Sequence, residues 1–235
     1  MIHNAAIPHN IPDRQLEIFR VNLQGTANVL EAMARHGTRR LIYTSSLCVY
    51  GIANSGRLPL PAWFPLDESF PARPDNAYGL SKLLAEGMIE GYRERYGWDA
   101  IVFRLAWVRD IAAAASDSQA LERVFEQLRE PRWEPYFVQH FWDYIDVSDA
   151  GRAFAMAAAA PGVSGVFNLA ASDMWTLENP RALLQRHYPG AEIRNPAIWE
   201  GGSCWDVSAI RRAIGFEPKV SVRELLRDKQ VAFRQ

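Results

Sequence analysis

Apolar runs of strand length alternate with segments of helical period along the first half of this chain, and that alternation leaves few folds open. Ile2–Ile7 is the first run. From Asp13 to Arg35 the residues Leu16, Phe19, Leu23, Ala27, Leu30 and Met33 recur at helical spacing, and Gly37 stands where such a helix would stop. Arg39–Ser46 reads as a buried strand. A loop rich in Pro and Gly follows over 51–74, after which Asp75 or Asn76 can cap a helix reaching Tyr96. Ala100–Val108 is a further apolar run. Strand, helix, strand, helix, strand in this order predicts an α/β fold, with parallel strands joined by helical crossovers.

The texture changes after Arg109. Helical patterns cover Ser118–Arg129, Ser148–Ala159, Val207–Ile214 and Val222–Lys229, and Gly165–Ala171 reads as a strand. Between them lies an aromatic stretch, Trp133, Tyr136, Phe137, Phe141, Trp142 and Tyr144. With 49% hydrophobic and 23% charged residues in 235, the chain can bury a real core. A net charge of −1 gives nucleic acid and anionic membranes no electrostatic support. Cys48 and Cys204 make no disulfide framework, and the five scattered histidines predict no metal site. No apolar run approaches the ~20 residues of a membrane span, and the first residues lack a signal-peptide pattern, so a cytoplasmic protein is expected.

One constellation carries chemistry. Tyr78 and Lys82 lie four apart in a helical segment and share a face. An ammonium beside a phenol lowers the phenol's pKa and makes it a proton carrier near neutral pH. Ser46, at the end of the preceding strand-like run, offers a hydroxyl to the same substrate oxygen. Together they can move a proton on and off an alcohol while a hydride leaves its carbon.

Around that constellation the chain resembles the extended short-chain dehydrogenase/reductase family, the NAD-dependent epimerase/dehydratase group. His3-Asn4-Ala5-Ala6 is similar to its fourth strand, and Asn22-Leu23-Gln24-Gly25-Thr26-Ala27-Asn28 to the helix that follows. Thr44-Ser45-Ser46-Leu47-Cys48-Val49-Tyr50-Gly51 resembles the serine strand. Asp67-Glu68 and Pro74 precede Tyr78 in the family's order, and Arg104-Leu105-Ala106-Trp107-Val108 sits at its arginine-containing strand. Trp142 to Asp149 resembles the segment joining two domains, and Asp206-Val207-Ser208 through Gly215-Phe216-Glu217-Pro218 the closing helix and turn.

The resemblance implies a Rossmann-like, doubly wound parallel sheet with a small α/β substrate domain: residues 1–108 and part of 140–171 in the first, 109–139 and 172–235 in the second. It implies Tyr78 as acid/base, Lys82 as the residue that lowers its pKa and holds the nicotinamide ribose, and Ser46 as the partner of the substrate hydroxyl. Asn4, Ala5, Ala6, Asn22, Thr44, Tyr78, Lys82 and Ala106 fall where the family contacts its cofactor, NAD or NADP. The implied partner is a sugar or nucleotide-sugar, and a homodimer through the Tyr78 helix and its predecessor fits the family's habit.

The family's Gly-rich dinucleotide fingerprint has no counterpart here, because the chain starts at the segment resembling the fourth strand. The resemblance therefore implies a missing stretch on the order of 60 residues or more, at about 30 per βα unit. Weak dinucleotide affinity and an exposed apolar edge on the first strand are the expected consequences. A misplaced start site and a genuine truncation both give this pattern. Two functions are thus carried forward: an NAD(P)-dependent sugar epimerase or oxidoreductase, and a silent remnant that keeps a binding role. Leu47-Cys48, where the family's dehydratases carry an acidic pair, argues against dehydration. Cys48 reads as a small apolar filler, Arg109 as a solvated arginine, and most of the eight tryptophans as core, with a sugar-stacking pocket as the alternative.

Overall fold

The computed structural model describes residues 1–52, 55–56 and 60–229. Parts of the expected loop 51–74 (residues 53–54 and 57–59) and residues 230–235 of the expected substrate domain lie outside the described residues.

Four parallel strands form the main sheet in the order β1 (Ile2–His3), β2 (Arg40–Ser46), β4 (Asp99–Leu105) and β7 (Gly165–Leu169). Two pairs of two-residue strands lie beside it: β3 (Trp63–Phe64) with β8 (Glu192–Ile193), and β5 (Val108–Arg109) with β6 (Ile145–Asp146). The helices are α1 (Gln15–Phe19), α2 (Gly25–Arg35), α3 (Ala77–Tyr96), α4 (Ser118–Arg129), α5 (Glu134–Gln139), α6 (Val147–Ala158), α7 (Pro180–His187), α8 (Ser208–Ile214) and α9 (Val222–Asp228).

Strand periodicity explains why the sheet is covered on both faces. Leu41 and Tyr43 of β2 pack with Ala100 and Val102 of β4 against Leu30 and Met33 of α2 and Ala85 and Ile89 of α3. The alternate residues Ile42, Ile101 and Phe103 turn to the opposite face and meet Ala150, Ala153 and Ala157 of α6. This is the doubly wound α/β arrangement that the resemblance implies, built on the parallel strands and helical crossovers that the alternation predicts.

Several expected elements keep their place, but β1 is shorter than Ile2–Ile7. It forms one edge of the sheet, with Ile2 50% exposed. The helix over 13–35 has a π-helical turn at Arg20–Gln24 between α1 and α2, a distortion that favours functional sites. Buried Asn22 sits in it. The sequence did not predict β3, β8, α5 or α7; the two-residue strands carry too few residues for a periodic signal.

α3 is fixed to the sheet by polar contacts as well as apolar ones. Asn76 caps it through Gly79 N (3.0 Å), and Gly97, with φ +63°, ends it. Gly79 is required by close approach: a Cβ there would lie 2.7 Å from the Cys48 carbonyl oxygen. Farther along, the Glu86 carboxylate receives Arg104 Nη2 at 2.8 Å, Arg104 Nε at 3.2 Å and Ser45 Oγ at 2.5 Å. Arg104 also donates to the Tyr50 hydroxyl (2.9 Å), which donates to Asn168 Oδ1 (2.7 Å). Both members of the ion pair are buried, so losing either strands a charge. Arg104→Met is expected to cost about 3–5 kcal/mol in urea unfolding, and combining it with Glu86→Leu is expected to recover much of that loss.

Candidate active site

Three strand ends meet at one side of the sheet: Asn4 after β1, Ser46 at the end of β2, and Leu105-Ala106 at the end of β4. In open α/β sheets the carboxyl ends of the strands are where ligands bind. A cleft of about 500 Å³ opens there. Of the residues expected from sequence, Asn4, Ala6, Thr44, Ser46, Tyr78, Lys82 and Ala106 line it.

Tyr78, Lys82 and Glu86 follow one another at four-residue steps along α3, so a single helix stripe carries all three towards β2. Lys82 is 3% exposed and donates from Nζ to the Thr44 carbonyl at 2.6 Å. Its Nζ lies 5.0 Å from the Tyr43 ring centre and 5.9 Å from that of Tyr78. Burial pushes its pKa down to about 8, against a smaller upward pull from Cys48 and Glu86. The Ser46 hydroxyl receives Cys48 N at 3.2 Å.

The electrostatics correct one expectation. Lys82 was expected to acidify Tyr78, yet the phenol stands above its ordinary value. Burial is the main cause and neighbouring Cys48 adds to it, while the Ser46 hydroxyl offsets only part. Lys82 is itself partly discharged by burial and directs its proton to a backbone carbonyl. In this state Tyr78 is a proton donor. Cys48 is also held neutral, its thiol pushed up to about 12 by burial.

Two expected cofactor contacts are placed elsewhere. Ala5 is exposed and lies off the cleft wall. Asn22, 1% exposed, accepts from Ile7 N at 2.8 Å and donates to the Ile7 carbonyl (3.2 Å) and Ser81 Oγ (2.9 Å). It ties the segment after β1 to α3, a positioning role that a contact list by resemblance does not distinguish. Ser45 spends its hydroxyl on Glu86 and acts as a strand residue. Arg109, read as solvated, instead lies on the Trp107 ring with Nε and Nη2 buried and without a hydrogen-bond partner among the described residues. Trp142, Trp175 and Trp205 are core, and Trp107 is the tryptophan that lines the cleft.

Sequence reading missed Tyr136, His140 and Asp143, which also line the cleft. They fall in the aromatic stretch, where the three-residue spacing of His140 and Asp143 was the available signal. His140 Nδ1 and Asp143 Oδ1 are 3.1 Å apart, and Asp143 Oδ2 accepts from Trp107 N at 3.2 Å.

Residues 1–170 match the model of the NAD dependent epimerase/dehydratase family. The chain belongs to that family. A UDP-glucose 4-epimerase of Mus musculus is 38% identical over 105 residues, 44% of this chain and 27% of that protein. The L-arabinose 1-dehydrogenase (NAD(P)(+)) of Haloferax volcanii is 27% identical over 175 residues, 72% of this chain and 64% of that protein. Among solved structures, UDP-glucose 4-epimerase from Bifidobacterium longum in complex with NAD+ and UDP superposes with a TM-score of 0.62 at 19% identity, covering 95% of this chain and 72% of that one. The chain thus matches less than a third of the mouse relative's length, and the structural likeness establishes the Rossmann-like fold.

The buried Lys82 gives a stability test. Its folded pKa, about 8, lies below the ordinary 10.5, so between these values the unfolded chain binds more protons and stability rises with pH. Below about 8 both states are protonated and the cost of the buried ammonium is constant. Lys82→Met, which removes that cost, is expected to raise the melting temperature at pH 7. Its advantage over the native protein is expected to shrink from pH 8 towards 10.5, as read by thermal denaturation.

Proposed function

We propose that this protein is an NAD(P)-dependent oxidoreductase or epimerase acting on a sugar, with Ser46, Tyr78 and Lys82 as its catalytic residues. The observation that carries this is the convergence of those three side chains on one cleft at the strand ends. The wall around them suits a dinucleotide's nicotinamide half. Ala6 and Ala106 keep it open, and the buried Thr44 hydroxyl has no partner among the described residues. Lys82 would hold the ribose hydroxyls there, with Asn4 and Thr44 beside it.

A bound nicotinamide supplies the hydride acceptor. The chain's own residues handle the proton. Ser46 orients the sugar oxygen, and Tyr78 exchanges the hydroxyl proton with it as the C–H bond breaks and the carbonyl forms. The protonated phenol found here is the form that returns a proton to a carbonyl oxygen. Running forwards, the phenol must first give up that proton to water in the open cleft. Release of the keto sugar makes a dehydrogenase, whereas turning it over and returning hydride to its other face makes an epimerase. The Mus musculus and Haloferax relatives represent these two outcomes. The division into a dinucleotide side (1–108 with part of 140–171) and a substrate side (109–139 and 172–235) belongs to the same proposal, as does a homodimer.

Titration with NADH, followed by nicotinamide fluorescence, separates the two readings: saturation at micromolar concentration would support the enzyme. Absence of saturation would favour the silent remnant. Tyr78→Phe is expected to lower turnover of the active sugar by about 10²–10⁴-fold while leaving the NADH titration unchanged. Substantial residual turnover would remove Tyr78 from its role.

A further inference from the structure

The cleft is also lined by residues that the reaction above does not use. His140 is 4% exposed at the end of α5, and its ring stacks on Tyr136 with centroids 4.0 Å apart. Nδ1 is paired with the buried Asp143 carboxylate at 3.1 Å, and Asp143 is anchored in turn by Trp107 N. A carboxylate accepts only, so Nδ1 carries a proton, and in the neutral imidazole Nε2 presents a lone pair. Nε2 is buried with no hydrogen-bond partner among the described residues, on a side chain that lines the cleft. Buried polar atoms are nearly always paired, and one held this rigidly at the edge of a cleft is suited to a ligand.

The surroundings specify which ligand. Tyr136 and Trp107 both line the cleft, their rings edge-to-face at 5.3 Å, so an aromatic surface stands beside the nitrogen. An apolar face flanked by an acceptor matches a sugar ring, whose C–H face packs on aromatics while its hydroxyls point outward. A lone pair requires a donor, which a hydroxyl provides and an ether or deoxy position does not.

We infer that His140 is a sugar-recognition residue: locked by Asp143, its Nε2 accepts a hydrogen bond from a free hydroxyl of the sugar in the cleft. The inference rests on the sugar reading of this site and adds a specificity residue to it. His140 acts by positioning, without exchanging the substrate proton. Loss of the acceptor leaves the Tyr78 hydroxyl and Lys82 ammonium where they are, so affinity falls while the dinucleotide side is untouched.

The full chain labelled with ¹⁵N-histidine tests this, with L-arabinose and UDP-glucose as probes and His140 assigned through His140→Gln. One of the two sugars is expected to shift the His140 Nε2 resonance while Nδ1 keeps its proton. His140→Phe is expected to weaken that sugar roughly five- to tenfold, with the NADH titration unchanged. Asp143→Asn, which frees the ring to change tautomer at nearly constant volume, gives a second variant should the first fail to fold, and the same weakening is expected. Failure of both sugars to move His140, or equal sugar affinity in folded variants, overturns the inference. Loss of NADH saturation in a protein whose His140 still answers to sugar would instead remove the redox reading and leave the recognition site standing.

Discussion

Glu86 and Arg104 form the contact on which the geometry of the site depends. A helix packed on a sheet by apolar residues alone can slide or rotate by a fraction of a turn at little cost. An ion pair with a further donor, Ser45, on its carboxylate and a further acceptor, Tyr50, on its guanidinium has one satisfactory arrangement, because every alternative leaves a buried charge unpaired. Glu86 lies one turn beyond Lys82 and two beyond Tyr78 on the same stripe of α3. Fixing it against β4 therefore fixes the other two against the end of β2. The network reaches through Tyr50 and Asn168 to the carbonyl of Leu66 (3.3 Å), so the same contacts also hold the segment after β3.

Close backbone approach supplies the second constraint. Gly79 lets the start of α3 rest on the turn at Leu47–Tyr50, which Ser46 itself caps. Tyr78 and Ser46 are thus neighbours because the residue between the phenol and the rest of the helix has no side chain. Asn22 completes the support from the other side, joining the segment after β1 to Ser81 in the same helix. Its π-helical turn costs regular helix geometry, and the gain is a side chain aimed across two elements.

The legible and illegible parts of this molecule differ in how many residues encode them. β2, β4 and α3 each span seven residues or more, long enough for period and capping to show. Tyr78 and Lys82 were legible because a helix turns their spacing into a shared face. The Lys82–Thr44 hydrogen bond was not, since a backbone carbonyl leaves no mark on sequence. Nor was the sign of the Tyr78 shift. Sequence places an ammonium near a phenol but says nothing of the burial that outweighs it. Two-residue strands such as β3 and β8 are set by tertiary pairing and have no period to detect.

His140 shows the same limit from the functional side. In the sequence it is one polar residue among aromatics, and Phe137, Phe141 and Trp142 around it are buried as core. What distinguishes it is the state of its two nitrogens: one paired with Asp143, the other buried and without a partner among the described residues. A histidine serving packing alone would be cheaper as phenylalanine. The pair makes physical sense when the second nitrogen has work in the cleft. That puts a recognition group in the same cleft as Tyr78, so one site holds both the chemistry and the substrate selection.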